Sequence, residues 1–559
     1  MATGADWLLD ALAAEGVERL VGNPGSTELP IVEALGAHRD VRYVLALHES
    51  VAMGIADGYA QQSGRLGAVN VHVQPGMANA LSGVLNARNA RVPLLVTVGQ
   101  QVSSLLPDAP FLGGDVVGLA APLAKAALEP RTPAELRDAL AVAVRTAMRP
   151  PRGPVVLSIP LELQAGPPPG AHAPVAPEPL PPPDGPLLSE MAAALDAAQR
   201  PLVIVGDGVG DAGGAEAAVA LAERLGAPIL GEPMPGRVSV PTDHPLYRRP
   251  LPPFAAEIGP VLSGHDVVLA CGMPAFRLFG TSPGRAVPPS TALLHIDTDV
   301  AEVERSDHRL GMVADPAAAL EAMVRKLGPA DAGARARLDA EVRRTAELRR
   351  EGRRALAVRA GSQGTEIGPE ALSLALAASV GPNDLVVDEA LTSTRGLRTA
   401  IGRRTRGTWL AHRGSALGWG LPAAVGAKMA DPGRRVMVAQ GDGGLLFGAQ
   451  ALWTAAREGL PIALVVADNR GYEILRAGME GYTGRPEGDW PGLALDDPPV
   501  DVAGLAAAYG ASVASVDARS ELGSALDDLW RRTAHGPAVL VARVRGRTAP
   551  VGYPLDTAP

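Results

Sequence analysis

The stretch "RRVMVAQGDGGLLFGAQALWTAAREGLPIALVVADNRGYEIL", Arg434 to Leu475, decides the fold. It reads as strand, glycine turn, helix, strand and a second polar turn. The helix carries the chain back, so the two strands lie parallel. In such sheets ligands sit beyond the carboxyl ends of the strands, where the loops open a crevice. Asp442 follows the first strand and Asn469 the next, so both side chains can point into one crevice. One carboxylate plus one amide oxygen is a sparse, hard oxygen set that Mg2+ tolerates, because waters and phosphates complete its shell. Gly441, Gly443 and Gly444 let the backbone approach closely and leave amides at a helix N-terminus, a ready anion site. The same letters fit a tight turn whose Asp caps a helix. Spacing alone leaves both readings open.

Working outward, the chain of 559 residues is too long for one core, and about two to four domains are expected. The proline-rich "AGPPPGAHAPVAPEPLPPPDGP" (Ala165 to Pro186) blocks helices and reads as an extended linker. A second break follows the charged, exposed helix "RARLDAEVRRTAELRREGRRALAVR" and ends in "AGSQGTEIGPE". The segments so defined are 1–165, 187–335 and 362–545. Short apolar strands separated by helices recur in each: "RLVGNP", "VRYVLAL", "LGAVNVH", "PLLVTVG" and "GPVVLSI"; then "PLVIVGDG", "APILG", "DVVLACG" and "ALLHIDT"; then "DLVVDEA", "VMVAQGD", "IALVVAD" and "AVLVARV". The expected fold is α/β: three consecutive doubly wound domains with mainly parallel sheets.

Composition bounds the partners. Hydrophobic residues make up 47% and charged residues 20%, ordinary for a globular protein. A net charge of −9 argues against a nucleic-acid or anionic-membrane surface. Cys271 is the single cysteine, so no intramolecular disulfide is possible, which suits a reducing cytoplasm. The N-terminus is an acidic amphipathic helix, unlike a secretory signal, and no apolar run reaches the ~18 residues of a membrane span.

With "GDGG" at Gly441 and "DNRGY" at Asp468, the chain resembles the thiamine diphosphate (ThDP) enzymes of the 2-oxoacid decarboxylase and acetolactate synthase type, whose cofactor signature opens with GDG and closes in an Asn-containing turn. The likeness covers nearly the whole chain and implies pyrimidine-binding, central and diphosphate-binding domains in that order. It is fullest towards the benzoylformate decarboxylases, carried by "GNPGSTELP", "HESVAMGIADGYAQ", "VNVHVQPGMANAL", "PLLVTVGQQ", "HDVVLACGMPAFR" and "SALGWGLPAAVGAKMADP". No one of these is decisive, but their order and spacing are specific.

The resemblance implies that Asp442, Asn469 and the carbonyl of Gly471 hold Mg2+, with Gly443, Gly444, Thr392 and Tyr472 at the diphosphate. It makes Leu417 the wedge under the bent cofactor and the Ser415 carbonyl an acceptor for the aminopyrimidine. Glu49 would move the aminopyrimidine proton; read alone, it is a solvated Glu at a helix start. Ser26 would sit in the substrate pocket, and it also reads as a helix N-cap. His72, a lone imidazole after a strand, suits a structural hydrogen bond or proton relay, and the resemblance favours relay. Three departures mark the substrate pocket. Phe279 stands in "FRLFG" at the place of a second active-site histidine, Ile474 replaces a small residue, and Gly478 replaces an aromatic; Leu475 lies beside them. An aryl substrate is therefore open.

The reaction implied is decarboxylation of a 2-oxoacid to an aldehyde plus CO2 through a C2 ylide and an enamine. A homotetramer is implied too, with Glu49 facing the partner subunit's Asp442. A carboligase of acetolactate synthase or benzaldehyde lyase type is the alternative, and a non-catalytic ThDP-binding protein a more remote one. In "VGDGVGDAGG" (Val205 to Gly214), Asp211 stands where a dinucleotide fingerprint has its third glycine, so a bound dinucleotide is not expected.

Overall fold

The computed structural model describes residues 2–176, 178, 180, 182–183, 185–279, 284–362, 364–414, 416–485 and 488–545. Three six-stranded sheets follow one another. The first holds β1 (Arg19–Asn23), β2 (Arg42–Leu45), β3 (Gly67–His72), β4 (Leu94–Gln100), β5 (Ala126–Leu128) and β6 (Pro154–Pro160). The second holds β7 (Pro201–Val205), β8 (Ile229–Gly231), β9 (Tyr247–Pro250), β10 (Val267–Cys271), β11 (Ala292–Asp297) and β12 (Leu310–Val313). The third holds β13 (Leu385–Glu389), β14 (Trp409–Ala411), β15 (Val436–Gly441), β16 (Ile462–Asp468), β17 (Ser512–Val516) and β18 (Ala538–Arg543). Every strand pairing is parallel. The apolar strands at the sheet centres, such as β4 and β6, are buried along their whole length because helices cover both faces.

The strand orders locate the crevices. The first sheet runs β2-β1-β3-β4-β6-β5 and the third β14-β13-β15-β16-β18-β17, which is the same order. Each reverses direction at its first strand, so the ligand-binding positions fall after β1 and β3 and after β13 and β15. The middle sheet, β12-β11-β10-β7-β8-β9, has the dinucleotide-fold order and reverses between β7 and β10. There the G-x-G turn is closed by the protein itself: a Cβ on Gly206 would lie 2.3 Å from the Gly272 carbonyl oxygen. Asp207 and Glu232 turn their carboxylates to Arg413 from the third unit.

The first and third units share one apolar core, in which Met53, Ile55 and Met77 meet Leu421, Val425 and Leu464. Its seam is the crossing of two helices, Glu49–Ser63 and Gly420–Ala430. Glycines set the distance: a Cβ on Gly426 would lie 1.8 Å from the Ile55 carbonyl oxygen, and one on Gly58 2.0 Å from that of Ala423. The charged stretch after the second unit is a helix of 31 residues, Ala332–Ser362. The proline-rich linker docks on the first helix, where Trp7 Nε1 donates to the Gly170 carbonyl at 2.6 Å and His172 meets Glu15 at 2.6 Å. Among the described residues no helix is long and apolar enough to cross a membrane.

Candidate active site

The first unit gathers Ser26, His72 and Glu49 at the carboxyl ends of β1, β2 and β3. Ser26 is exposed and opens a short 3-10 turn, Ser26–Glu28. It is not the cap expected from "STE". The capping position is Gly25, whose amide donates to Glu28 Oε2 at 2.8 Å. Glu28 is fully buried and bonds His72 Nδ1 through the same oxygen at 2.8 Å, while the Thr27 hydroxyl donates to Oε1 at 2.8 Å. The carboxylate, an acceptor, therefore assigns the proton to Nδ1 and leaves Nε2 with its lone pair. The arrangement needs two glycines. A Cβ on Gly25 would lie 2.3 Å from the His72 ring, and one on Gly99 1.8 Å from Glu28 Oε1. Directly after His72, Val73 is held at φ 39°, a conformation a β-branched residue rarely takes.

Glu49 is the first residue of its helix, with His48 as the cap. Its Oε2 accepts from Asn79 Nδ2 at 3.0 Å, and Oε1 lies over Gly76, on the helix that follows His72. Sequence reading missed Glu28, Asn79 and Gly99. Glu28 was legible only as a turn residue, because its partners lie 44 and 71 positions away.

The third unit gathers the other group. Asp442 begins a one-turn helix at the end of β15, and its Oδ1 accepts from the Gly443 amide at 2.8 Å. Burial pushes its carboxyl up to about 6, with Asp468 adding to the rise and the amides of Gly443, Arg470 and Gly471 opposing it. The two turns thus face each other, as the strand–helix–strand reading requires. Asn469 Oδ1 accepts from the Gly471 amide at 3.1 Å, and Arg470 sits at φ 54°. The Tyr472 ring lies against Gly443, where a Cβ would be 2.7 Å from it. Thr392 is buried in the turn after β13, next to Leu391 at φ 41°. Ile474 and the half-exposed Leu475 follow on the helix Glu473–Thr483, and Gly478 is buried within it.

Leu417 is 36% exposed, and the preceding residue is pinned. Asn86 donates to the Ala416 carbonyl and accepts from its amide, both at 3.0 Å. A small cavity, ≈ 20 Å³, lies beside Leu417, lined by Ser50, Met53, Asp57, Asn86 and Trp419. Ser415 falls outside the described residues. Phe279 lies in the middle unit, edge-on to Phe254 with centroids 6.2 Å apart.

These residues fit a Mg2+-diphosphate group. Asp442 is a desolvated carboxylate with another acid nearby, short of positive charge that a divalent cation supplies. Among the described residues no three His, Cys, Asp or Glu side chains form a metal cluster. A site built on one carboxylate then relies on an amide, a carbonyl and the oxygens of a bound diphosphate.

Comparison with known proteins fixes the class. Residues 2–114 match the thiamine pyrophosphate enzyme N-terminal TPP binding domain, residues 188–323 its central domain and residues 393–542 its C-terminal TPP binding domain. The chain belongs to the thiamine pyrophosphate enzymes. It is 34% identical over 523 residues to benzoylformate decarboxylase of Pseudomonas aeruginosa, covering 92% of this chain and 94% of that protein. It is 29% identical to the acetolactate synthase large subunit of Parasynechococcus marenigrum, covering 86% and 78%. The crystal structure of benzoylformate decarboxylase from Polynucleobacter necessarius superposes with a TM-score of 0.87 at 26% identity, covering 99% of this chain and 100% of that one.

Proposed function

We propose that the protein decarboxylates a 2-oxoacid to an aldehyde, using ThDP and Mg2+. The observation that carries this reading is the Glu28–His72 pair, a proton-transfer imidazole oriented by a buried carboxylate at the switch point of the first sheet. Likeness to the Pseudomonas aeruginosa decarboxylase over most of both chains supports it. Asp442, Asn469 and the Gly471 carbonyl would hold the metal; Thr392, Gly443, Gly444 and Tyr472 would meet the diphosphate; Ser415 and Leu417 would meet the aminopyrimidine and thiazolium. The bound cofactor supplies the electron sink for the pair left when the carbon–carboxylate bond breaks.

The chain's own residues do the rest. Glu49 exchanges a proton with the aminopyrimidine, and Asn79 fixes the direction of its carboxyl. Ser26, exposed at its turn, hydrogen-bonds the substrate carboxylate. His72 Nε2 delivers the proton that turns the former keto carbon into an aldehyde, and Glu28 steadies the imidazolium side of that transfer. Phe279, Ile474 and Leu475 shape the pocket and exclude water.

The test is a CO2-release screen over aryl, branched and linear 2-oxoacids, with products analysed with and without added aldehyde. Free aldehyde from at least one substrate is expected. Hydroxyketone alone would move the chain to the second reading, a carboligase, which the acetolactate synthase likeness favours. Glu49→Gln should keep ThDP bound in calorimetry yet lose ~10²-fold or more in turnover.

A further inference from the structure

We propose that Glu389 is a positioning residue that sets the Leu417 segment against the aminopyrimidine half of the cofactor; this rests on the ThDP reading above. Glu389 is the last residue of β13, at the switch point of the third sheet, and is 2% exposed. Its carboxylate faces no arginine or lysine in any hydrogen bond described. It takes four N–H donors instead. Oε1 accepts from the main-chain amides of Gly418 at 2.8 Å and Trp419 at 3.3 Å. Oε2 accepts from the Gly420 amide at 2.6 Å and from Gln440 Nε2 on β15 at 2.9 Å. Amide donors of a helix start are normally met by a neighbouring side chain. Here they are met by a residue about thirty positions upstream, so the loop is tied to the sheet and not merely to itself.

The local sequence is built for this approach. Gly418 has φ +85°, and a Cβ on it would lie 2.6 Å from Phe447 Cβ. A Cβ on Gly420 would lie 2.9 Å from Glu389 Oε2. With Ala416 held by Asn86 and residues 418–420 held by Glu389, Leu417 is the one residue between two anchors. Glu389 lies three residues before Thr392 on the same strand exit, so one segment serves the diphosphate turn and braces the wedge. A shift of the loop would leave the diphosphate cradle intact and spoil the fit of the aminopyrimidine and thiazolium.

The experiment separates the two halves. Glu389→Gln keeps the size but turns one acceptor oxygen into an N–H donor facing N–H donors. Binding of ThDP and of inorganic diphosphate, each with Mg2+, is measured by calorimetry on the full chain, together with the near-ultraviolet circular dichroism induced by bound ThDP. The variant is expected to bind ThDP at least tenfold more weakly, to bind diphosphate within twofold of wild type, and to lose the induced signal. Equal losses for both ligands, as general destabilisation would give, overturn the proposal, and so does unchanged ThDP affinity. Glu389→Asp, which keeps the acceptor charge on a shorter arm, is read by the same two ratios should the Gln variant not fold. A wild-type chain that binds diphosphate but not ThDP removes the cofactor reading itself, a result distinct from a failed ratio.

Discussion

Glu28 shows how one buried residue organises three neighbours. It satisfies the Gly25 amide, the Thr27 hydroxyl and His72 Nδ1 at once, so removing its charge disturbs the histidine rather than the fold alone. Glu28→Gln should lower turnover about 10- to 100-fold in a steady-state assay, because His72 loses the carboxylate that orients its ring. Unchanged turnover would mean that His72 is only a core histidine. Asp57 offers a second test. It is fully buried between Trp419 Nε1 and Gln61, with Oδ2 unpartnered beside the small cavity. Burial raises its carboxyl from 3.8 to about 6. The folded chain therefore holds this proton more tightly than the unfolded one, and ionising Asp57 costs stability as pH rises through that window. Asp57→Asn should be neutral near pH 4 and stabilising by about 2 kcal/mol at pH 8, read from thermal melts at both pH values.

Among the elements, the sequence reading found the strands that helices cover on both faces and missed β5, β9, β12, β14 and β17. All five lie at sheet edges, where only one neighbour supplies hydrogen bonds. Strands such as β9 and β17 are short and partly exposed, so no continuous apolar run announces them. Asp442 and Asn469 were legible as candidates because they stand in local turns at strand ends. Glu28 and Glu389 were not, since their partners come from distant strands and loops. The helix seam between the first and third units is likewise a tertiary fact. "GIADGYA" and "LPAAVGAK" look like ordinary helices until Gly58 and Gly426 meet carbonyl oxygens. Gly426→Val should push the backbones apart and cost about 3 kcal/mol, seen as a lower urea midpoint. ThDP affinity should fall with it, because the same seam supports Leu417.

At the scale of the whole molecule, the three sheets are tied by buried charge. Arg413 reaches from the third unit to Asp207 and Glu232, and Arg237 reaches from the second to Gln61 Oε1 at 2.9 Å and the Ala90 carbonyl at 3.0 Å in the first. Arg413→Met would leave the buried Glu232 without its cation and Asp207 with only the more distant Arg237, 3.9 Å away. A loss of about 3–5 kcal/mol is expected near neutral pH. The deficit in melting temperature should shrink below about pH 5, where the stranded acids take up protons.

The closed G-x-G turn of the middle sheet then acquires a mechanical meaning. Arg413 lies four residues before Leu417, so the arginine that closes the middle crevice also opens the strand-exit loop that carries Leu417. The middle unit works as an abutment. Asp207, after β7, and Glu232, after β8, hold Arg413 and so fix one end of the loop that carries Leu417.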